Sequence, residues 1–162
     1  MNEEARKIIA QLGLEPLPLE GGWFRRTRVS TVKLDNGRCA ESAIYFLVTA
    51  ADFSALHRLK IDEVWYFHAG DALEHVILDP RDGSMRVTRL GAAVCAGEVP
   101  QLAVARGVWQ GARLAAGSTV GWTLLSCTTS PAWEDTDFEL GQRNELKKAF
   151  PAACDQIDRL TR

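Results

Sequence analysis

The chain has 162 residues, of which 46% are hydrophobic and 25% are charged, a composition typical of globular proteins. Its net charge of -2 leaves no basic surplus for phosphate backbones, so no nucleic-acid partner is expected. The longest apolar run, residues 43–48, is far too short to cross a bilayer, so no membrane insertion is expected either.

The N-terminal stretch MNEEARKIIAQLGLEP predicts an amphipathic helix over about residues 2–12, with Gly13 placed to end it. Its apolar residues recur at helical spacing, namely Ala5, Ile8, Ile9 and Leu12. The stretch has acidic residues in its first turn and no apolar h-region, so no secretion signal is predicted. The four cysteines lie far apart without C-x-x-C spacing and suggest neither disulfides nor zinc. We therefore expect a cytoplasmic protein.

Short β-branched and aromatic runs fill the chain from Trp23 to about Thr129, and no helix is predicted there. Turn residues separate these runs, and DPRDG at 79–83 predicts a hairpin. Many short strands at regular spacing are typical of an antiparallel sandwich or barrel. The predicted strands are WFRRTRV, SAIYFLVT, SALHRL, EVWYFH, LEHVIL, MRVTRL, QLAVA, VWQGARL and VGWTLLSCT.

The C-terminal part, about residues 141–161, returns to helical patterning. Leu146 and Phe150 share one helical face, and Pro151 is suited to open a last helix that buries Ile157 and Leu160. We therefore predict one domain over residues 1–162, all-β with short helices at both ends.

The stretch ALHRLKIDEVWYFHAGD, residues 55–71, holds the candidate site. Alternation along a strand puts Glu63, Trp65 and Phe67 on one face. If the two strands pair through the short KID turn, His57 and Glu63 point into the same interior. A buried ionisable pair of this kind must be hydrogen-bonded, metal-bound or in contact with water, because stranding a polar group costs roughly 2–7 kcal/mol.

This stretch resembles the first motif of the cupin superfamily, in which H-x-H is followed by a glutamate and, after six residues, a glycine. His57, Glu63 and Gly70 occupy the first-histidine, glutamate and glycine positions, and Leu59 replaces the second histidine. The resemblance implies a double-stranded β-helix, the cupin jelly-roll barrel.

The second cupin motif, P-x-G-x-x-H, is matched in outline by ARGVWQ at 105–110, with Gln110 in place of the histidine. The resemblance implies a divalent-metal site made of His57, Glu63 and Gln110. Transition metals favour imidazole, thiolate and carboxylate ligands over a neutral amide, so this ligand set is degenerate.

A closer resemblance is to the cupin-5 (DUF985) proteins and covers about residues 7–151. The quoted stretches that carry it are LEGGWFRRT, SAIYFLVT, SALHRLKIDEVWYFHAGDALEHVILDP, GVWQGARL, LLSCTTSPAWEDTDFEL and ELKKAFP. It implies a small jelly roll, commonly a homodimer, related in fold to sugar epimerases, isomerases and germins. The cupin fold hosts many chemistries, so the resemblance alone does not specify an activity.

Further side chains are candidates for the wall of a ligand pocket. Glu20 and Arg25 either border the pocket, with the guanidinium as a fork for an anion, or belong to an exposed turn. Trp65 and Tyr45 either floor a sugar-sized pocket or are core residues, as do Trp109 and Trp122. His68 and His75 are interpreted as surface or core histidines, and Asp135 and Asp137 as residues that shape the exit from the barrel.

Three functions follow as hypotheses. In the first, the barrel binds a small polar metabolite and acts as a sugar-type isomerase or epimerase, with His57 as proton-transfer base, Glu63 as its partner and Gln110 orienting the ligand. In the second, the protein is a divalent-metal-dependent enzyme. In the third, it is a non-catalytic binding or structural dimer with a relic pocket filled by Trp65, Phe67 and Leu59.

Overall fold

The structure, a computed structural model, describes residues 1–162 and contains eleven strands and three α-helices. The strands are β1 (Glu15–Pro16), β2 (Trp23–Val29), β3 (Ser42–Thr49), β4 (Ser54–Leu59), β5 (Asp62–Gly70), β6 (Leu73–Leu78), β7 (Met85–Leu90), β8 (Gln101–Val104), β9 (Trp109–Leu114), β10 (Trp122–Ser130) and β11 (Phe138–Leu140). The helices are α1 (Glu3–Leu12), α2 (Arg143–Ala149) and α3 (Cys154–Arg159). Every predicted strand forms, and β1 and β11 are additions that the sequence pattern did not signal.

Two antiparallel sheets face each other. One has the strand order β1-β2-β3-β10-β5-β8 and the other the order β11-β4-β9-β6-β7. The hairpin predicted around the DPRDG turn joins β6 to β7, with Leu78 opposite Met85. The predicted class, all-β with short terminal helices, is confirmed.

Apolar side chains from both sheets fill the space between them. Phe46, Trp65 and Leu125 come from the six-stranded sheet and pack in one cluster with Leu73 and Ala112 of the other sheet. Each of these five residues is at most 1% exposed. This packing sets the distance between the two sheets. Beyond the cluster, the space between the sheets remains open as a cavity.

The terminal helices cover the outer faces of the two sheets. Helix α1 is capped at its start by Asn2, whose side chain accepts a bond from the Ala5 amide, and at its end by Gly13 in the left-handed conformation. It packs over Leu47 and Trp122, whereas α2 and α3 pack over Trp109 and its neighbours on the other sheet. None of the helices has the length and apolar character needed to span a bilayer.

The strands on either side of the KID turn do not pair with each other, so the condition considered in the sequence analysis is not met. Strand β4 pairs with β9 and β11, whereas β5 pairs with β10 and β8, so the turn crosses from one sheet to the other. A short turn between two strands can form either a hairpin or such a crossing, and the alternation pattern is the same for both. His57 and Glu63 still point into one interior, but from opposite sheets.

Candidate functional site

A cavity of about 640 Å³ opens between the two sheets. Its wall is formed by the chain before β2, by inward-facing residues of both sheets and by the segment that leads into β11. The lining residues are Glu15, Leu17, Pro18, Leu19, Glu20, Phe24, Arg26, Ser42, Ile44, His57, Leu59, Glu63, Cys127, Thr129, Trp133, Asp135 and Phe138. The cavity is open beside Leu59, so the space is not filled in the way that a relic pocket would require.

His57 presents one ring nitrogen to this cavity. The residue is 2% exposed, and its Nδ1 lies 2.8 Å from the carbonyl oxygen of Ala55. Because a carbonyl only accepts, Nδ1 carries a proton and donates it, so Nε2 of the neutral ring has a free lone pair. The ring stacks on Phe138 with 5.3 Å between centroids, which fixes its plane.

Glu63 is a buried carboxylic acid on the opposite wall. It is 8% exposed, and its Oε2 accepts bonds from Trp65 Nε1 at 3.0 Å and Gln110 Nε2 at 2.7 Å. Both bonds end on Oε2, which leaves Oε1 for an occupant of the cavity. Burial, reinforced by the nearby Glu20 carboxylate, raises the pKa of Glu63 to about 7 against the opposing effects of His57 and the two bonds.

Gln110 and Trp65 lie behind Glu63 and do not line the cavity, which corrects their prediction as ligand-binding residues. Gln110 is 1% exposed, and its Oε1 accepts from Trp65 Nε1 at 3.1 Å and His75 Nε2 at 3.2 Å. The oxygen of this amide and one of its two N–H groups are therefore bonded within the protein. Gln110 and Trp65 position the Glu63 carboxyl.

Glu20 reaches the cavity from the loop that precedes β2. Its Oε1 accepts from Ser54 Oγ at 2.7 Å, and its Oε2 lies 3.9 Å from His57 Nε2. The next residue, Gly21, has φ of 98°, and an added Cβ would lie 2.5 Å from the carbonyl oxygen of Phe53. Glycine is required here because the loop passes so close to the neighbouring backbone.

Arg25 and Tyr45 were predicted to line the pocket, and the structure places both on the outer face of the six-stranded sheet. They are cross-strand partners, with the guanidinium 5.6 Å from the Tyr45 ring centroid. Their sequence neighbours Phe24 and Arg26 line the cavity instead. The prediction is shifted by one residue along the strand, which exchanges the inner and outer faces. The two glycines before β2 leave no pattern that shows which face of β2 points inward.

Several lining residues were not predicted as ligand contacts. Arg26 lines the cavity and holds its guanidinium 5.6 Å from the ring centroid of Trp133, which also lines it. Alternation from Phe24 could have indicated Arg26, but no local pattern points to Trp133. His75 is a core histidine, as interpreted, with an unpartnered Nδ1, and burial lowers its pKa to about 3.

The residues around the cavity do not fit a protein-bound metal ion. No three His, Cys, Asp or Glu side chains come together in an arrangement that could hold one. Leu59 lines the cavity where a second imidazole would stand, and the Gln110 oxygen is already bonded to Trp65 and His75. The predicted ligand set of His57, Glu63 and Gln110 therefore loses its third member.

A comparison with protein families gives a match to the family described as Cupin superfamily (DUF985), over residues 6–141. The chain belongs to this family. A search of curated proteins found no significant match for this cupin.

Two solved structures resemble this cupin over almost its whole length. A protein of Shewanella oneidensis is 35% identical, with a TM-score of 0.90 and coverage of 98% of this chain and 97% of the other. A protein of Leishmania major is 34% identical, with a TM-score of 0.87 and coverage of 97% and 98%.

Oxalate decarboxylase of Bacillus subtilis is a more distant structural neighbour. It is 12% identical, with a TM-score of 0.56 and coverage of 91% of this chain and 37% of that protein. At that identity the likeness shows the barrel fold alone.

Proposed function

We propose that this cupin binds a small polar metabolite in the cavity and moves a proton on it, as an isomerase or epimerase of a hydroxylated carbonyl compound. One observation carries the proposal. The free Nε2 of His57 and the free Oε1 of Glu63 belong to buried side chains on opposite walls of the same cavity. A ligand between the walls would have a base on one side and an acid on the other.

The chemistry uses His57 as a neutral base and Glu63 as a protonated acid. His57 Nε2 takes a proton from the carbon beside the carbonyl, and the bonding electron pair moves to the carbonyl oxygen. Glu63, whose pKa is raised to about 7, donates its proton to that oxygen. His57 then returns its proton to the former carbonyl carbon while Glu63 takes the proton of the neighbouring hydroxyl, which gives the isomer and restores both groups. The epimer forms instead when solvent protonates the first carbon on its opposite face, Glu63 takes back its proton from the enol oxygen, and His57 releases its proton to solvent.

Glu20 is suited to support the charged form of His57. Its Oε2 lies 3.9 Å from Nε2, so its negative charge stabilises the imidazolium that forms when the ring takes a proton. The hydrogen bond from Ser54 holds this carboxylate in place. Glu20 acts here as a positioning residue, and His57 and Glu63 as the catalytic pair.

Solvent exchange tests the proposal without knowledge of the natural substrate. The protein is incubated in D₂O with a panel of aldoses and ketoses, and deuterium at the carbon beside the carbonyl is followed by NMR. We expect exchange with at least one sugar, and we expect His57→Asn to abolish it, since asparagine can keep a donor near the Ala55 carbonyl but has no base.

The matched control is His68→Asn, because His68 lies on the outer side of β5 and bonds to Ser126. Exchange that survives in His57→Asn, or is lost equally in both variants, contradicts the assignment.

A homodimer and a cytoplasmic location are further parts of the proposal. Sedimentation of the purified protein tests the first, and fractionation of cells tests the second.

A further inference from the structure

The charges that line the cavity are strongly unequal. Glu15 and Asp135 are exposed side chains at its mouth, and Glu20 and Glu63 lie inside. Arg26 is the lining residue with a permanent positive charge, and no lysine lines the wall. An anionic ligand would meet repulsion from most of this surface.

Arg26 is poorly placed to offset this imbalance for an anion deep in the cavity. Its guanidinium lies at the mouth, 5.6 Å from the Trp133 ring centroid. Phe24, Trp133 and Phe138 also contribute aromatic surface to the wall. The faces of aromatic rings attract cations, so this surface adds to the preference set by the carboxylates.

The inner end of the cavity has acceptor atoms without protein partners. His57 is 2% exposed, and its Nε2 has no hydrogen bond, with the Glu20 oxygen beyond bonding distance at 3.9 Å. Glu63 is 8% exposed and uses only Oε2 in its bonds. Acceptors that face a cavity and have no protein partner are open to a ligand, and an ammonium group supplies three donors.

We propose that the ligand of this cavity is a small hydroxylated amine, bound as its ammonium form with the charge beside Glu20. This inference rests on the proposed function, because it names the class of metabolite that the same cavity takes. A cavity that binds an ammonium group differs in charge from the active site of an enzyme whose substrate carries two negative charges.

A matched set of probes isolates the effect of charge. Glucosamine, glucose and glucuronate share one sugar frame, and cyclohexylamine, cyclohexanol and cyclohexanecarboxylate share another. Dissociation constants are measured by calorimetry at about pH 6.5, where both amines are largely protonated. We expect the amine to bind at least about tenfold more tightly than the neutral member, and the acid to bind weakest.

Variants then test which carboxylate binds the ammonium group of the ligand. Glu20→Gln keeps an oxygen for the Ser54 hydroxyl and removes the negative charge, so the amine should lose most of its advantage while glucose binding is retained. Glu145→Gln is the matched control, because Glu145 is exposed on α2 and far from the lining residues. Tighter binding of the neutral or acidic member, or no binding within either set, overturns the inference.

The two proposals fail in different ways. Deuterium exchange without any charge preference overturns the ligand class and leaves the proton-transfer pair standing. The opposite result is a charge preference that Glu20→Gln removes, with no deuterium exchange for any sugar or amino sugar. That result supports the ligand class and overturns the proposed catalysis.

Discussion

At the scale of single residues, the amide of Gln110 ties the two sheets together at the site. Its Nε2 donates to Glu63 of β5, and its Oε1 accepts from Trp65 of β5 and His75 of β6. The sequence motif put Gln110 at a ligand position, but side-chain rotamers and partners decide whether it faces the cavity. Those partners lie 35 to 47 residues away along the chain, so no local pattern could reveal them.

The raised pKa of Glu63 predicts a pH-dependent stability. Its pKa rises from 4.5 to about 7 on folding, so protonation favours the folded state. This contribution is present below about pH 4.5 and is lost as pH rises through about 7, by up to roughly 3 kcal/mol. Because His75 acts in the opposite direction over most of this range, the test is a difference between proteins. The unfolding free energy of wild type minus that of Glu63→Gln, measured in urea, should fall between about pH 4.5 and 7, whereas wild type minus Glu145→Gln should stay constant. Parallel curves for wild type and Glu63→Gln would contradict the assignment.

The missing imidazoles predict how metal affinity can be restored. Leu59→His combined with Gln110→His completes a set of three histidines and Glu63, so the double variant should bind Mn²⁺ or Zn²⁺ at least about tenfold more tightly than wild type. Calorimetric titration of both proteins without an affinity tag measures the difference. Stoichiometric binding by wild type at micromolar concentration would show that the fit argument is wrong.

At the scale of elements, strand alternation correctly predicted which side chains of β5 point inward. The sequence did not show which strands β4 and β5 pair with. Alternation put Glu63, Trp65 and Phe67 on the inner face of β5 and His68 outside, and the structure agrees. It could not tell a hairpin from a crossing between sheets at the KID turn, because that choice depends on partners supplied by β9 and β10. The predicted position of Arg25 was wrong for a related reason. The two glycines before β2 interrupt the alternation, so the sequence does not show which face of β2 points into the cavity.

The loop that carries Glu20 should be sensitive to a single methyl group. Gly21→Ala places a Cβ 2.5 Å from the Phe53 oxygen at φ of 98°, whereas Gly37→Ala meets no atom within 4 Å at φ of 82°. Both variants strain the backbone, by about 1 kcal/mol. Gly21→Ala should lose roughly 1–3 kcal/mol more and should also weaken ligand binding by moving Glu20. Equal unfolding free energies for the two variants would contradict this account of the loop.

At the scale of the whole molecule, the proposed catalytic pair is divided between two sheets. His57 belongs to the five-stranded sheet and Glu63 to the six-stranded sheet, so the packing of Trp65, Phe46 and their neighbours sets the width of the site. The architecture was predictable because turns and alternation are local signals. The shape of the cavity was not, because it depends on how two sheets and a loop meet in space.

Acid should weaken the fold through His75. Burial lowers its pKa from 6.5 to about 3, so the neutral ring stabilises the folded state above about pH 6.5, and this stability is lost as pH falls toward 3. His75→Gln should flatten the acidic part of the unfolding curve by a few kcal/mol, whereas the exposed-side variant His68→Gln should leave it steep. Between about pH 4.5 and 6.5 the effects of His75 and Glu63 have opposite signs, so wild type should vary least there.

The half-protonated state of Glu63 near neutrality has a thermodynamic signature. A carboxyl with a pKa of about 7 changes its proton occupancy when a charge binds near it, so an ammonium group beside Glu20 would release a fraction of the Glu63 protons into solution. The heat of binding an amine at about pH 7 would then contain the heat of buffer protonation. Titrations in Tris and in phosphate should therefore differ in enthalpy by up to about half of the difference between the two buffers, and Glu63→Gln should give the same heat in both.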